Sequence, residues 1–151
     1  MKTKRFKRIF ITGLLFMFST YFYAGAQNII VSDSAKISLI TCSPGPEVYA
    51  KFGHTAIRYL EPTTGMDVVF NYGIFDFNVT GFYYKFIKGE TDYQLGVYDT
   101  RYFLPEYKER NSQVTEQVLN LTKEEKQKLV DALFTNYLPE NRIYRYNFIF
   151  D

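Results

Sequence analysis

The sequence of 151 residues contains no tryptophan, one cysteine and one histidine. Because Cys42 stands alone, an intramolecular disulfide framework is excluded and stability has to come from packing. The single histidine, His54, and the single cysteine lie among scattered acids that match no zinc-ligand spacing, so we expect no bound metal. The sequence also lacks a glycine-rich phosphate loop, and we expect no cofactor.

Acidic residues are absent from the start of the chain. Residues 2–8 carry five lysines and arginines, residues 9–23 form an apolar run, and Ala24-Gly25-Ala26 follows. These three parts in this order are typical of a secretory signal peptide that is cleaved after Ala26. The alternative is a membrane anchor, but the apolar run is shorter than the roughly 20 residues that span a bilayer. We therefore expect a signal peptide at residues 1–26 and an exported domain at residues 27–151.

The positive net charge of the whole chain, +2, comes from this leader. Residues 27–151 hold 13 basic and 16 acidic side chains, a net charge of −3. A domain with this charge has no basic surface for nucleic acid, so we expect no nucleic-acid partner. Aromatic side chains are abundant instead, with 14 tyrosines and 15 phenylalanines. Such residues favour strands over helices.

Apolar periodicity and turn residues predict an α+β fold. Strands are expected at residues 36–41, 54–60, 67–72, 91–98, 112–119 and 143–150. Short helices are expected at residues 47–52 and 82–87. The clearest helix is predicted at residues 122–137, where Thr122 and Glu125 form a capping box ahead of an apolar stripe at helical spacing. Because the last strand reaches the end of the chain without a following turn, we expect this chain to be a fragment.

The single histidine is the candidate for acid–base chemistry. His54 follows Gly53 at the start of a predicted strand, and histidine is the usual general base near neutral pH. The candidate nucleophile within this chain is Cys42, which lies twelve residues earlier, before a Pro-Gly-Pro turn. The alternative interpretation of His54 is a hydrogen-bonded histidine of the core.

Four further polar residues are candidates for the surroundings of His54. The predicted hairpin pairs His54 with Asn71 or Tyr72, and both of these side chains hydrogen-bond to imidazole nitrogens. A slip of one residue exchanges the two faces of a strand, so the choice between them stays open. The acidic residues Glu47 and Asp76 lie in nearby loops, where solvated surface is the simpler interpretation.

Several motifs, in one order, resemble a known family. They are Ile40-Thr41-Cys42-Ser43-Pro44-Gly45, Phe52-Gly53-His54-Thr55-Ala56-Ile57-Arg58, Val69-Phe70-Asn71-Tyr72-Gly73, Phe75-Asp76-Phe77, Gly89-Glu90-Thr91-Asp92-Tyr93, Val118-Leu119-Asn120-Leu121-Thr122 and Glu140-Asn141-Arg142. From about Ile37 to Asp151, the chain resembles the Lnb N-terminal periplasmic domain family of bacteria. The resemblance implies a periplasmic location for the exported domain.

This resemblance also implies a fold and an activity. The family is similar to circularly permuted papain-like thiol enzymes of the NlpC type, which implies an antiparallel sheet with packed helices, here C-terminally truncated. His54 matches the family's Gly-His position, and the nucleophile, in an Asp-Asn-Cys motif, is expected directly after Asp151 rather than at Cys42. The implied activity is thiol-dependent acyl transfer from a phospholipid to lipoprotein amino termini. Full-length relatives continue into membrane helices.

A fragment without the nucleophile is expected to be inactive, and a second interpretation from another class stays open. In this second interpretation, the chain is a non-catalytic exported domain that binds lipid or peptide through its aromatic surface. The gene sequence beyond Asp151 discriminates the two, because an in-frame Asn-Cys supports the enzyme. The sequence leaves open the oligomeric state, and also whether the enzyme is a transferase or a hydrolase.

Overall fold

The computed structural model describes residues 29–46 and 50–145. The predicted signal peptide, the candidate acid Glu47 with the first half of the helix expected at residues 47–52, and the outer part of the strand expected at residues 143–150 lie outside the described residues. Within them, the chain forms six strands and three helices.

The strands build a single antiparallel sheet in this part of the chain. They are β1 (Lys36–Cys42), β2 (His54–Glu61), β3 (Met66–Ile74), β4 (Asp92–Asp99), β5 (Val114–Val118) and β6 (Ile143–Arg145). The helices are α1 (Phe82–Lys88), α2 (Thr100–Glu109) and α3 (Lys123–Tyr137). The strand order is β5-β1-β2-β3-β4-β6, and each neighbouring pair is antiparallel. The α+β prediction and the antiparallel sheet are therefore confirmed.

Side chains alternate between the two faces of the sheet, and each face packs against one helix. One face, called the α3 face below, buries Ile37, Tyr59, Phe70 and Leu95 against Val130 and Leu133 of α3. The other, the α2 face, packs Ile40, Cys42, Ala56 and Val69 against Phe103 and Tyr107 of α2. Two separate apolar cores thus share the same strands.

Helix α3 matches its prediction closely. Thr122 is the N-cap, and its side-chain oxygen accepts a hydrogen bond from the backbone N–H of Glu125. The Glu125 carboxylate accepts one in return from the backbone N–H of Thr122, at 2.8 Å, which completes the capping box. Among residues 29–46 and 50–145, no helix is long and apolar enough to cross a membrane.

Helix α2 is the main element that the sequence patterns do not predict. Pro105 lies inside it and cannot donate a backbone hydrogen bond, which argues against a helix on local grounds. Asp99 caps the helix by accepting from the backbone N–H of Arg101, at 2.9 Å. Phe103 and Tyr107 are one turn apart and both buried. Packing on the sheet therefore outweighs the local propensity.

A charged cluster crosses the α2 face away from the start of β2. Arg58 of β2 holds Asp67 of β3 by two parallel hydrogen bonds of 2.7 and 2.6 Å. The same guanidinium reaches Glu116 of β5 at 3.0 Å, passing over β1, where the small Ser38 stands opposite it. Thr100 donates to Asp67 at 2.6 Å. The hydrogen bonds from Arg58 lower the pKa of Asp67 despite its partial burial.

A buried carboxylate fixes the segment that precedes β1. Glu61, 1% exposed, accepts hydrogen bonds from the backbone N–H and the hydroxyl of Ser32, at 2.9 and 2.6 Å. The hydroxyl of Thr63 donates at 2.6 Å. Burial alone raises the pKa of Glu61, but the hydrogen bonds from Ser32 and Thr63 outweigh it and lower the pKa to about 2.

Candidate active site

A cavity of about 290 Å³ lies on the α2 face, at the end of the sheet where β2 begins. His54 and Asn71 form part of its polar wall, together with Arg110. Phe75 and Phe77 belong to its apolar lining. A cavity with convergent polar groups and aromatic walls suits a ligand that has both a polar reacting group and an apolar part.

The strand register brings His54 and Asn71 together. Ile57 pairs with Phe70, so that counting back along the ladder places His54 beside Gly73. This register is shifted by one or two residues from the expected pairing of His54 with Asn71 or Tyr72. Asn71 is then the diagonal neighbour of His54 on the same face, within reach of a long side chain. The imidazole Nε2 of His54 and the amide Oδ1 of Asn71 are hydrogen-bonded.

Tyr72 lies on the opposite face of the sheet, because neighbouring side chains in a strand alternate. Its hydroxyl accepts a hydrogen bond of 3.0 Å from the side-chain amide of Asn136 of α3. Its ring meets that of Tyr144 edge to face, with centroids 6.1 Å apart. Of the two residues predicted to orient His54, the structure thus brings Asn71 to the ring and does not bring Tyr72.

Gly53 explains why a glycine precedes the histidine. Its φ of +75° lies in the left-handed region, which side chains other than glycine rarely adopt. A Cβ at this position would stand 2.6 Å from the carbonyl oxygen of Cys42. The close approach sets His54 directly opposite Cys42 in the pairing of β1 with β2.

Cys42 is a poor nucleophile in spite of this proximity. The residue is 2% exposed and packs in the apolar cluster with Ile40, Ala56 and Phe103. Burial raises the pKa of the thiol, and a hydrogen bond with the Tyr107 side chain offsets part of this shift. Because the reactive form is the thiolate, a buried thiol with a raised pKa is inert at neutral pH.

Tyr107 completes the surroundings of the histidine, and the sequence patterns do not identify it. Its ring lies parallel to the imidazole of His54, with the ring centroids 6.5 Å apart and an interplanar angle of 8°. Arg110 places its guanidinium 4.6 Å from the centroid of the Tyr107 ring and binds Glu106 at 3.1 Å. Burial raises the pKa of the Tyr107 phenol, which stays protonated at neutral pH. Tyr107 and Arg110 are identified only once α2 is known to be a helix, because Pro105 argues against a helix in this part of the sequence.

Asp76, the acidic candidate that the structure describes, does not line the cavity that holds His54. Asp76 is exposed and accepts a hydrogen bond from the backbone N–H of Asn78, at 2.9 Å, as in an Asx turn. Glu47 lies outside the described residues. No group of three or more histidines, cysteines and acids that could hold a metal ion occurs among the residues that the structure describes.

No curated protein and no solved structure matches the chain. One protein-family profile, described as the Lnb N-terminal periplasmic domain, matches residues 22–151. The match spans both strands that carry His54 and Asn71 and includes all of the described residues. It indicates a periplasmic location and a domain that forms part of a larger protein. The chain therefore belongs to the Lnb N-terminal periplasmic domain family.

Proposed function

We propose that this chain is the N-terminal part of a periplasmic thiol acyltransferase whose nucleophilic cysteine follows Asp151 in the longer protein. His54 is the general base, and Asn71 is the residue that orients it. The observation that carries the proposal is the hydrogen bond between the His54 Nε2 and the Asn71 Oδ1 at the wall of the cavity. A nucleophile activated by a base, which a third group holds in place, is the common arrangement of covalent catalysis.

The hydrogen bond supports one assignment of the hydrogen on the neutral imidazole. An amide oxygen only accepts, so the Nε2 of the neutral His54 ring must carry the hydrogen. The lone pair is then on Nδ1, and this nitrogen is the base. Tyr107, parallel to the ring, and Asn71 together restrict its rotation. The geometry supports a base that is held in one tautomer and one orientation.

In the first step, Nδ1 of His54 accepts the thiol proton while the sulfur attacks the ester carbonyl of a phospholipid acyl chain. The C–O bond of the ester breaks, and the His54 imidazolium returns the proton to the leaving lysophospholipid oxygen. A thioester between the acyl group and the cysteine remains. Splitting acyl transfer into two steps replaces one difficult barrier by two lower ones.

In the second step, the amino terminus of a lipoprotein attacks the thioester carbonyl. A new amide bond forms, the C–S bond breaks, and the proton lost by the amine passes through His54 to the leaving thiolate. The free thiol and the neutral imidazole are restored. The same base thus serves both steps, with no net gain or loss of protons.

The sheet topology supports delivery of a cysteine from beyond Asp151. β4 runs parallel to β2 and antiparallel to β6, so that β6 runs towards the end of the sheet at which β2 begins with His54. Three strand spacings of about 4.8 Å separate β2 from β6. An extended chain advances about 3.3 Å per residue, which covers this distance in a few residues. A base that precedes its nucleophile in the sequence is the order of a permuted papain-like enzyme.

Export by a signal peptide at residues 1–26 is part of the proposal. The basic start, the apolar run and Ala24-Gly25-Ala26 support cleavage after Ala26. The mass of the exported protein tests this, because Gln27 is expected as its first residue. A mature protein that retains the leader contradicts it.

The decisive experiment uses the full-length protein and His54→Ala. Incubation with phospholipid is expected to acylate the downstream cysteine of the wild type, as read by mass spectrometry of the peptide that carries it. The variant is expected to lose several orders of magnitude in rate, as is usual when a nucleophile loses its base. Cys42→Ser is the matched control and keeps most of the activity. Acylation of Cys42, or full activity of His54→Ala, overturns the proposal.

The alternative function, a non-catalytic domain that binds lipid or peptide, is favoured by one observation. Tyr83, Tyr84 and Ile87 are each more than 60% exposed on α1, near the cavity. Such a domain needs no base, so His54→Ala would leave ligand binding unchanged and the full-length protein would form no thioester. The same measurement therefore separates the two functions.

A further inference from the structure

One side of helix α1 packs against aromatic side chains, and the other side is exposed to solvent. Phe82, 5% exposed, fixes its inner side by contacts with the rings of Phe75 and Phe77, whose centroids lie 5.6 and 4.9 Å away. The outer side carries three large exposed side chains and a lysine. These residues, called the α1 surface below, are Tyr83, Tyr84, Ile87 and Lys88.

We propose that the α1 surface docks on the headgroup layer of a phospholipid bilayer. Tyrosine rings have an apolar body and a polar tip, and they are enriched at the depth of lipid headgroups. Ile87 adds an apolar group that can enter the acyl boundary. Lys88 holds its ammonium 4.5 Å from the centroid of the Tyr84 ring, so the cation and the aromatic face are presented together.

The charge on α1 matches phospholipid phosphates. Its only charged side chains are Lys88, on the α1 surface, and Lys85, which is less exposed and lines a neighbouring cavity, and its first turn holds no acid. Glu90, beyond the helix, approaches Lys88 only to 4.0 Å, with both side chains about half exposed. Lysine stems lie along apolar surface while the ammonium stays at the phosphate level. The combination of two tyrosines, an isoleucine and a lysine on one side of a short helix therefore fits a membrane interface better than a protein groove.

The α1 surface is continuous with the cavity. Phe75 and Phe77 line the cavity that holds His54, and both contact Phe82 on the inner side of α1. Docking of α1 on a bilayer would place the cavity beside the lipid. This consequence rests on the proposed function, since it is the way in which a phospholipid acyl donor would reach His54. The docking itself stands on the chemistry of the α1 surface.

The sequence offers a clean reporter, because it contains no tryptophan. Tyr84→Trp in residues 27–151 gives a protein with a single tryptophan, which lies on the α1 surface and is excited selectively over the tyrosines. With vesicles of phosphatidylethanolamine and phosphatidylglycerol, its emission is expected to shift to the blue and to be quenched by brominated acyl chains. The matched control is Tyr102→Trp, which replaces a 75%-exposed tyrosine on α2 that is also paired with a cation, Arg101. The control is expected to show neither effect.

A second variant tests the contribution of the surface itself. Tyr83→Ser combined with Ile87→Ser, in the Tyr84→Trp background, is expected to reduce the blue-shifted fraction by about tenfold at fixed lipid, because two apolar groups no longer leave water. Equal quenching in the Tyr84→Trp and Tyr102→Trp proteins overturns the proposal. So does an emission of folded Tyr84→Trp that is already blue-shifted without vesicles, because another part of the protein then covers α1. Neither readout depends on acyl transfer, so failure here leaves the role of His54 intact.

Discussion

The two faces of the sheet use the same strands for different purposes. The α3 face is closed by apolar contacts, and Tyr59 and Phe70 there are fully buried. The α2 face is apolar only in its middle, whereas its end near the start of β2 presents His54 and Asn71 to a cavity. Neighbouring residues such as Phe70 and Asn71 belong to different faces. Stability and proposed chemistry are therefore separated by the alternation of side chains rather than by distance along the chain.

The largest expected effect on stability comes from the α3 face. Phe70 is fully buried and meets Phe134 of α3 edge to face at 5.1 Å. Phe70→Ala leaves a cavity, so the free energy of unfolding should fall by about 3–5 kcal/mol, measured by denaturant titration. Phe52→Ala, at a residue that is 90% exposed, is the matched control and should change it by less than about 0.5 kcal/mol. Similar losses in both variants would remove the distinction between core and surface.

A smaller loss is expected from the one buried carboxylate described on the α3 side. Glu61→Gln keeps the shape but replaces a charged acceptor, so the free energy of unfolding at pH 7 should fall by about 2–3 kcal/mol. The folded pKa of Glu61, about 2, lies below its ordinary 4.5. Its stabilising contribution is therefore complete above pH 4.5 and is lost as the pH falls towards 2.

The measurement is the unfolding free energy of wild type and Glu61→Gln from about pH 2 to about pH 7, the range that covers the titration of the carboxylate in both states. The difference between the two proteins should shrink as the pH falls. Glu109→Gln, at an exposed residue at the end of α2, is the control and should show almost no difference. A constant gap across the whole range would mean that the carboxylate charge of Glu61 is not what stabilises the segment before β1.

The last prediction concerns the reactivity of Cys42, which packs in the apolar cluster of the α2 face and is not the proposed nucleophile. Because the thiol is buried and its pKa is raised, iodoacetamide at about pH 8 should modify the native chain far more slowly than the unfolded chain. The rate in denaturant is the internal control. Equal rates in native and unfolded protein would show an accessible thiolate and would restore Cys42 as a nucleophile candidate.

Much of the fold follows from local patterns. The capping box at Thr122 and Glu125, together with the apolar pattern and the turn residues of β1 to β4, predicts elements that the structure contains within one or two residues. Helix α2 is different, because Pro105 and the mixed residues around it give no helical period. Its formation depends on the packing of Phe103 and Tyr107 against apolar residues of β1, β2 and β3. These strands lie about 30 to 60 residues before α2 in the sequence. A local pattern does not contain that information.

The residues of the candidate site also fall into a group that local sequence patterns indicate and a group that they do not. His54 stands out as the single histidine, and the expected hairpin pairs it with Asn71 or Tyr72. The structure pairs it with Gly73 and brings Asn71 to the ring as the diagonal neighbour. The choice between these two depends on a register that only the complete sheet fixes. Tyr107 and Arg110 are positioned by α2 and therefore could not be identified without it. Residues that a hairpin brings together are within reach of sequence reasoning, whereas a residue supplied by a long-range helix is not.

The charged bridge from Arg58 to Asp67 and Glu116 has a further consequence for how the strands choose their alignment. If β2 slipped by one residue, Arg58 would move to the α3 face, among the side chains that pack on Val130 and Leu133. A guanidinium there would be desolvated without an ion pair to either carboxylate. The shifted register would therefore be less stable by roughly 3–5 kcal/mol. Arg58 therefore disfavours the shifted register of β2 relative to the observed one. The same register keeps His54 and Asn71 within hydrogen-bond distance at the other end of β2 and β3.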